Sequence, residues 1–141
     1  MAKRACATNL PERVRGPDDA VAYVLKLGGA SYDSGELVLG FDAEQRITGC
    51  AVRPAGDHPP TDVQQLVDIA AELEASMLVL VTFVDASTLL ATTPGIAAFN
   101  ALAEGCLMEN VALADHILMA GPHWRSLAEV GGPYVSEGGG A

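Results

Sequence analysis

Between His58 and His116 this chain has no histidine, and across its 141 residues it has three cysteines, eight basic side chains and no long apolar run. Each shortage excludes something. No stretch approaches the roughly 20 apolar residues that a bilayer span needs, so no membrane association is expected. The opening MAKRACATNLPERVRG is basic but not apolar, unlike a cleaved secretory signal. The expected compartment is therefore the cytoplasm. Cys6, Cys50 and Cys106 are odd in number and form no C-x-x-C pair, so neither a disulfide framework nor a structural zinc site follows from spacing. Cys50 and Cys106 fall in apolar stretches and read as small buried hydrophobes.

Basic charge is short where it would matter for nucleic acid. Lys3, Arg4, Arg13 and Arg15 are four of the eight basic residues, which leaves residues 16–141 with four positive charges against seventeen acids, a net of −13. Phosphate backbones are bound largely through Lys and Arg that displace counterions, so the folded body is expected to bind no nucleic acid.

What is present reads as one domain of ordinary size. Residues 1–16 lack periodicity and are expected to be a flexible N-terminal arm, residues 17–130 the folded domain, and residues 131–141, with Gly131, Gly132 and the Gly138–Gly140 triplet, a flexible tail. Pro17, Asp18 and Asp19 open a helix whose stripe is Val21, Val24 and Leu25, ended by Gly28–Gly29. Glu36 to Phe41 and Arg46 to Val52 are strands joined by a short hairpin loop, and Pro54 to Pro60 is a loop. Thr61-Asp62-Val63-Gln64 matches a capping box, with Thr61 as the cap, ahead of a helix with Val63, Leu66, Val67, Ala70 and Leu73 at helical spacing. Met77 to Phe83 is a continuous apolar run of strand length, which predicts a central strand covered on both faces. Thr93-Pro94 opens a third helix with Ile96, Phe99, Ala103, Cys106 and Leu107 as its buried stripe and Asn110 as a left-handed stop. Strands at Val111 to Met119 and Trp124 to Leu127 close the domain. This alternation predicts an α/β fold, a mixed sheet sandwiched by helices.

Four segments carry a family resemblance in order and spacing: GPDDAVAYVL, LVLGFDAEQRITGCAV, HPPTDVQQLVDIAAELEASMLVLV and LADHILMAGPHWRSL. Together, over roughly residues 17–130, they resemble a RadC-like JAB/MPN domain, which implies a cytidine-deaminase-like three-layer arrangement. Active members of that family hold zinc with two histidines in an H-x-H motif and an aspartate further on, with a hairpin glutamate as general base. In a register anchored on Asp115-His116, those ligand positions are occupied by Thr82, Val84 and Gly95, and the candidate positions for the glutamate by Ala51 and Val52. Zinc needs lone pairs at about 2 Å and an open position for water. Threonine is a poor ligand, and valine and glycine side chains offer none. The expectation is a degenerate domain with no metal and no cofactor.

The remaining donors do not rebuild a site by spacing alone. Asp115 and His116 are adjacent on a strand, so their side chains point to opposite faces. His116 reads as a hydrogen-bonded strand histidine, His123 as an exposed turn residue and Trp124 as a packing anchor. The rim of the vacated cleft would comprise Asp85, Ser87, Thr88 and Thr92, with His58 on the preceding loop, and Val84, Phe83 and the threonines could line it. These are the candidate ligand- or partner-binding residues. A serine nucleophile needs a base and an oxyanion donor within reach, and the sequence places no histidine beside Ser87. MPN-type domains without metal ligands typically serve as assembly or recognition partners, so the resemblance implies a non-catalytic interaction module that binds a protein partner or self-associates into a homo-oligomer. Its rivals are a hydrolase with a rebuilt site and an accessory protein in DNA-related processes.

Overall fold

The computed structural model describes residues 3–4, 14, 16–26, 35–54, 61–85, 93–121 and 123–128. The tail at 131–141, most of the N-terminal arm, the Gly28–Gly29 stop, the loop at 55–60 and the segment at 86–92 lie outside the described residues. In chain order the elements are β1 (Lys3–Arg4), α1 (Pro17–Lys26), β2 (Gly35–Phe41), β3 (Ile47–Pro54), α2 (Val63–Leu73), β4 (Met77–Phe83), α3 (Thr93–Met108), β5 (Ala112–Ala120) and β6 (His123–Ser126).

β2 to β6 form a five-strand mixed sheet, to which the two residues of β1 add an edge pairing; the order is β1-β3-β2-β4-β5-β6. Only β4 and β5 run parallel; the other neighbours are antiparallel. Alternation along the strands divides the core in two. Leu37, Leu39, Phe41, Val79, Val81, Ile117 and Met119 face α1. Val38, Leu78, Leu80 and Leu118 face α2 and α3. The result is an α/β sandwich of three layers. β4 is buried along most of its length, as its unbroken apolar run predicts.

Local chemistry explains the ends of the elements. Asp42 turns the β2–β3 hairpin by accepting from the amides of Glu44 (2.8 Å) and Arg46 (2.9 Å), while Gln45 takes the left-handed conformation at φ 67°. α2 starts one residue later than the Thr61 box predicts: Asp62 is the cap and Gln65 its reciprocal partner. Both registers satisfy the spacing, and a carboxylate is the stronger acceptor. α3 ends as predicted with Asn110 at φ 65°. Its stripe needs one correction. Phe99 and Cys106 are buried, but Leu107 is 66% exposed, because one further residue turns the helix by about 100° away from the core. Gly105 lets α2 and α3 approach closely, since a Cβ there would stand 2.5 Å from Val63 Cγ2.

Four residues ahead of α1 are described. Lys3 and Arg4 pair with Val52 and Ala51, and Val14 is buried with its amide donating to the Gln45 carbonyl at 2.9 Å. Cys106 is a buried free thiol whose pKa burial pushes up. Cys50 is also buried, but it is disulfide-bonded, contrary to the spacing argument; distance along the chain does not report which residues a sheet brings together. No described helix is long and apolar enough to cross a membrane.

Candidate functional site

Three polar side chains of the described sheet come together where the C-terminal half of β4 meets β2 and β5. Thr82 on β4 lies directly across from Glu36 on β2. His116 on β5 reaches back to β4, with its Nε2 2.8 Å from Thr82 Oγ1. Glu36 accepts a hydrogen bond from the Thr61 hydroxyl just ahead of α2. Strand alternation puts Glu36, Thr82 and His116 on the face covered by α2 and α3, so a row of polar groups crosses three strands.

His116 is largely enclosed by this arrangement. Burial pulls its pKa from 6.5 down to about 4, so the ring is neutral at physiological pH. Nδ1 is buried without a hydrogen-bond partner among the described residues. A neutral imidazole has one donor and one acceptor nitrogen, so whichever tautomer forms, one function goes unused.

Asp115 occupies the opposite face, as expected for adjacent strand residues. Only 6% exposed, it sits beside Ile117 on the α1 side. Its Oδ2 accepts from Ser126 Oγ at 2.6 Å, and its Oδ1 accepts from the amides of His116 (2.7 Å) and Ala128 (3.1 Å). The contacts tie β5 to β6 and to the chain just beyond it. A bulge between Leu113 and Asp115, where β4 has only Leu78 and Val79, sets the position of the carboxylate. A cavity of about 220 Å³ borders Asp115, lined by Val14, Pro17, Ala20, Phe41 and Val79 among others. It is smaller than the roughly 300 Å³ at which ligand pockets ordinarily begin.

The residues singled out in the sequence fare unevenly. Asp85 is described and exposed just past β4. Ser87, Thr88, Thr92 and His58 lie outside the described residues. Phe83 packs in the α1-side core while Val84 packs against the other cluster, so the two do not line one cleft. Thr82 and Val84, two residues apart, do share a face, and Gly95 on α3 borders Leu127. Ala51 is buried in the α2–α3 core and Val52 packs on the α1 side. The sequence reading missed Glu36. Its signal was the alternation in GELVLGF, which sets Glu36 in phase with Val38, but the partners Thr61 and Thr82 are distant in sequence.

Among the described residues, no three His, Cys, Asp or Glu side chains come together where they could hold a metal ion. His123 is exposed and Trp124 is buried in the α1-side core. No protein-family model matches the chain, and no curated protein matches it closely enough to count as a relative.

Proposed function

We propose that this chain is a non-catalytic JAB/MPN-like module for protein interaction or assembly, without a zinc site, acting through a protein partner or a second copy of itself. The observation that carries this reading is the Thr82–His116 pair. Thr82 stands where the family resemblance would put a zinc-binding histidine, and its hydroxyl is engaged with an enclosed, neutral imidazole. The three-layer sandwich with a parallel β4–β5 pair is compatible with the same family.

The pair also has nucleophile-to-base spacing, which is the best case for a rebuilt hydrolase. Two features weigh against that role. A catalytic histidine is ordinarily oriented by an acceptor on its other nitrogen, and Nδ1 has none among the described residues. A base with a conjugate-acid pKa of about 4 also draws poorly on a hydroxyl proton at neutral pH. The net −13 of residues 16–141 argues against a DNA accessory role through electrostatic repulsion.

Metal content of protein expressed with added zinc, read together with light scattering over a concentration series, tests the proposal. The expected result is no stoichiometric zinc. Stoichiometric zinc that disappears in Thr82→Ala or His116→Ala would overturn it.

A further inference from the structure

α3 is out of keeping with its surroundings. Thr93–Met108 contains a single charged residue, Glu104, in a chain with 18 acids. One face of α3 is open to solvent, with Ala97, Asn100, Ala101 and Glu104 exposed, and at its last turn that face turns apolar: Leu107 is 66% and Met108 83% exposed, more than any other large hydrophobic described. Fraying does not account for this. The amides of Glu109, Asn110 and Val111 donate to the carbonyls of Cys106, Leu107 and Cys106 at 2.8, 3.0 and 3.0 Å, and Val111 is buried against the sheet. The two apolar side chains are thus held out on a firm end, which lowers the ordering cost of binding.

The charged residues next to them along the chain have one sign. Glu104 lies one turn before Met108, Glu109 follows it, and both are exposed. The last turn of α3 has no basic residue, and the carbonyl end of a helix carries partial negative charge.

We infer that the C-terminal end of α3 is a docking site for a segment of another protein that presents apolar side chains flanked by Lys or Arg. This deepens the interaction-module reading and rests on it. Charge complementarity selects the occupant: a second copy would bring its own Glu104 and Glu109, and a body of the same sign, against these carboxylates, whereas a basic partner is steered toward them. Leu107 and the adaptable Met108 supply the apolar contact.

A fluorescein-labelled amphipathic peptide of leucine and lysine, its leucine–glutamate counterpart and the full chain provide the test by fluorescence anisotropy. The lysine peptide should bind, more weakly as salt rises, and the glutamate peptide should not. Leu107→Ser/Met108→Ser alters no charge and touches exposed residues, and it should weaken binding about tenfold or more. Glu104→Gln/Glu109→Gln should flatten the salt dependence. The inference is overturned if the lysine peptide fails to bind, if it binds the serine double variant equally well through diffuse charge, or if light scattering finds a dimer that the same double variant dissociates. Zinc content separates the two proposals: a zinc-free protein that ignores the peptide loses only the docking site, and a stoichiometric zinc removes the module reading itself.

Discussion

The two faces of the sheet treat neighbouring residues of β5 differently. Toward α1, Asp115 accepts hydrogen bonds from Ser126 and from the amides of His116 and Ala128. Toward α2 and α3, His116 has one partner, Thr82, and a buried Nδ1 with none among the described residues. The strand supplies two buried polar groups one residue apart, and only one is used fully. Asp115 is a brace that joins β5 to β6, while His116 is a polar residue kept neutral by its surroundings. Among the described residues, the row at the end of β4 is joined by the Thr61–Glu36 and Thr82–His116 hydrogen bonds.

The largest effect should come from breaking the brace. Asp115→Ala leaves the buried Ser126 hydroxyl and two part-buried amides without their acceptor; the stranded hydroxyl costs about 1–3 kcal/mol and each lost amide bond about 1 kcal/mol. Urea denaturation should register a loss of at least about 3 kcal/mol. A loss below about 1 kcal/mol would mean that Asp115 is no brace.

Acid should expose the other side of the comparison. The folded pKa of His116 is depressed to about 4, so below pH 6.5 the unfolded chain binds a proton that the folded one refuses. The contribution of His116 is thus fully present above 6.5, falls as pH drops through that window and is gone near 4. Its size is about 3 kcal/mol, from 1.36 kcal/mol per pKa unit. Subtracting the stability profile of His116→Leu from that of the parent chain isolates it from the many carboxylates. A difference that stays constant between pH 6.5 and 4 would contradict the assignment.

A smaller effect should distinguish the layers themselves. The face with two helices depends on the close approach at Gly105, and Gly105→Ala should cost about 2 kcal/mol by overpacking against Val63. Val63→Ala in the same chain should recover part of it, which thermal unfolding of the single and double variants would measure. No recovery would place the strain elsewhere.

The smallest effect is the most telling about purpose. Removing both members of the polar pair, in Thr82→Val/His116→Leu, replaces partners by apolar groups of similar shape and should leave stability within about 1 kcal/mol of the parent. His116→Leu alone should be worse than the double variant, because it strands the Thr82 hydroxyl. If the double variant is the worse of the two, the pair is more than a local hydrogen bond.

Much of this was written in local patterns. The run Met77–Phe83 announced a covered strand, and the adjacency of Asp115 and His116 fixed their opposite faces by the period of two. Asn110 announced its own left-handed turn. What stayed hidden depends on pairs distant in sequence or on one-residue shifts. Thr61 and Asp62 both fit a capping box; Asp62 takes the cap, and the Thr61 hydroxyl donates instead to Glu36, 25 residues away. The bulge at Ala114 interrupts the ladder without any glycine or proline to announce it. The exposure of Leu107 was hidden because an apolar side chain one step off a buried stripe looks like its continuation. The rim residues Ser87, Thr88 and Thr92 rest on the family resemblance, which places their loop after β4, and they lie outside the described residues.

Whether the pair at the end of β4 performs chemistry comes down to the state of one ring. An NMR titration of the His116 imidazole, without and with zinc, tests this most directly. The account predicts a neutral ring from pH 8 down to about 5, as follows from a pKa near 4, with resonances that zinc leaves in place. Titration between pH 6 and 7, or a zinc-dependent shift of its nitrogens at stoichiometric metal, would contradict it.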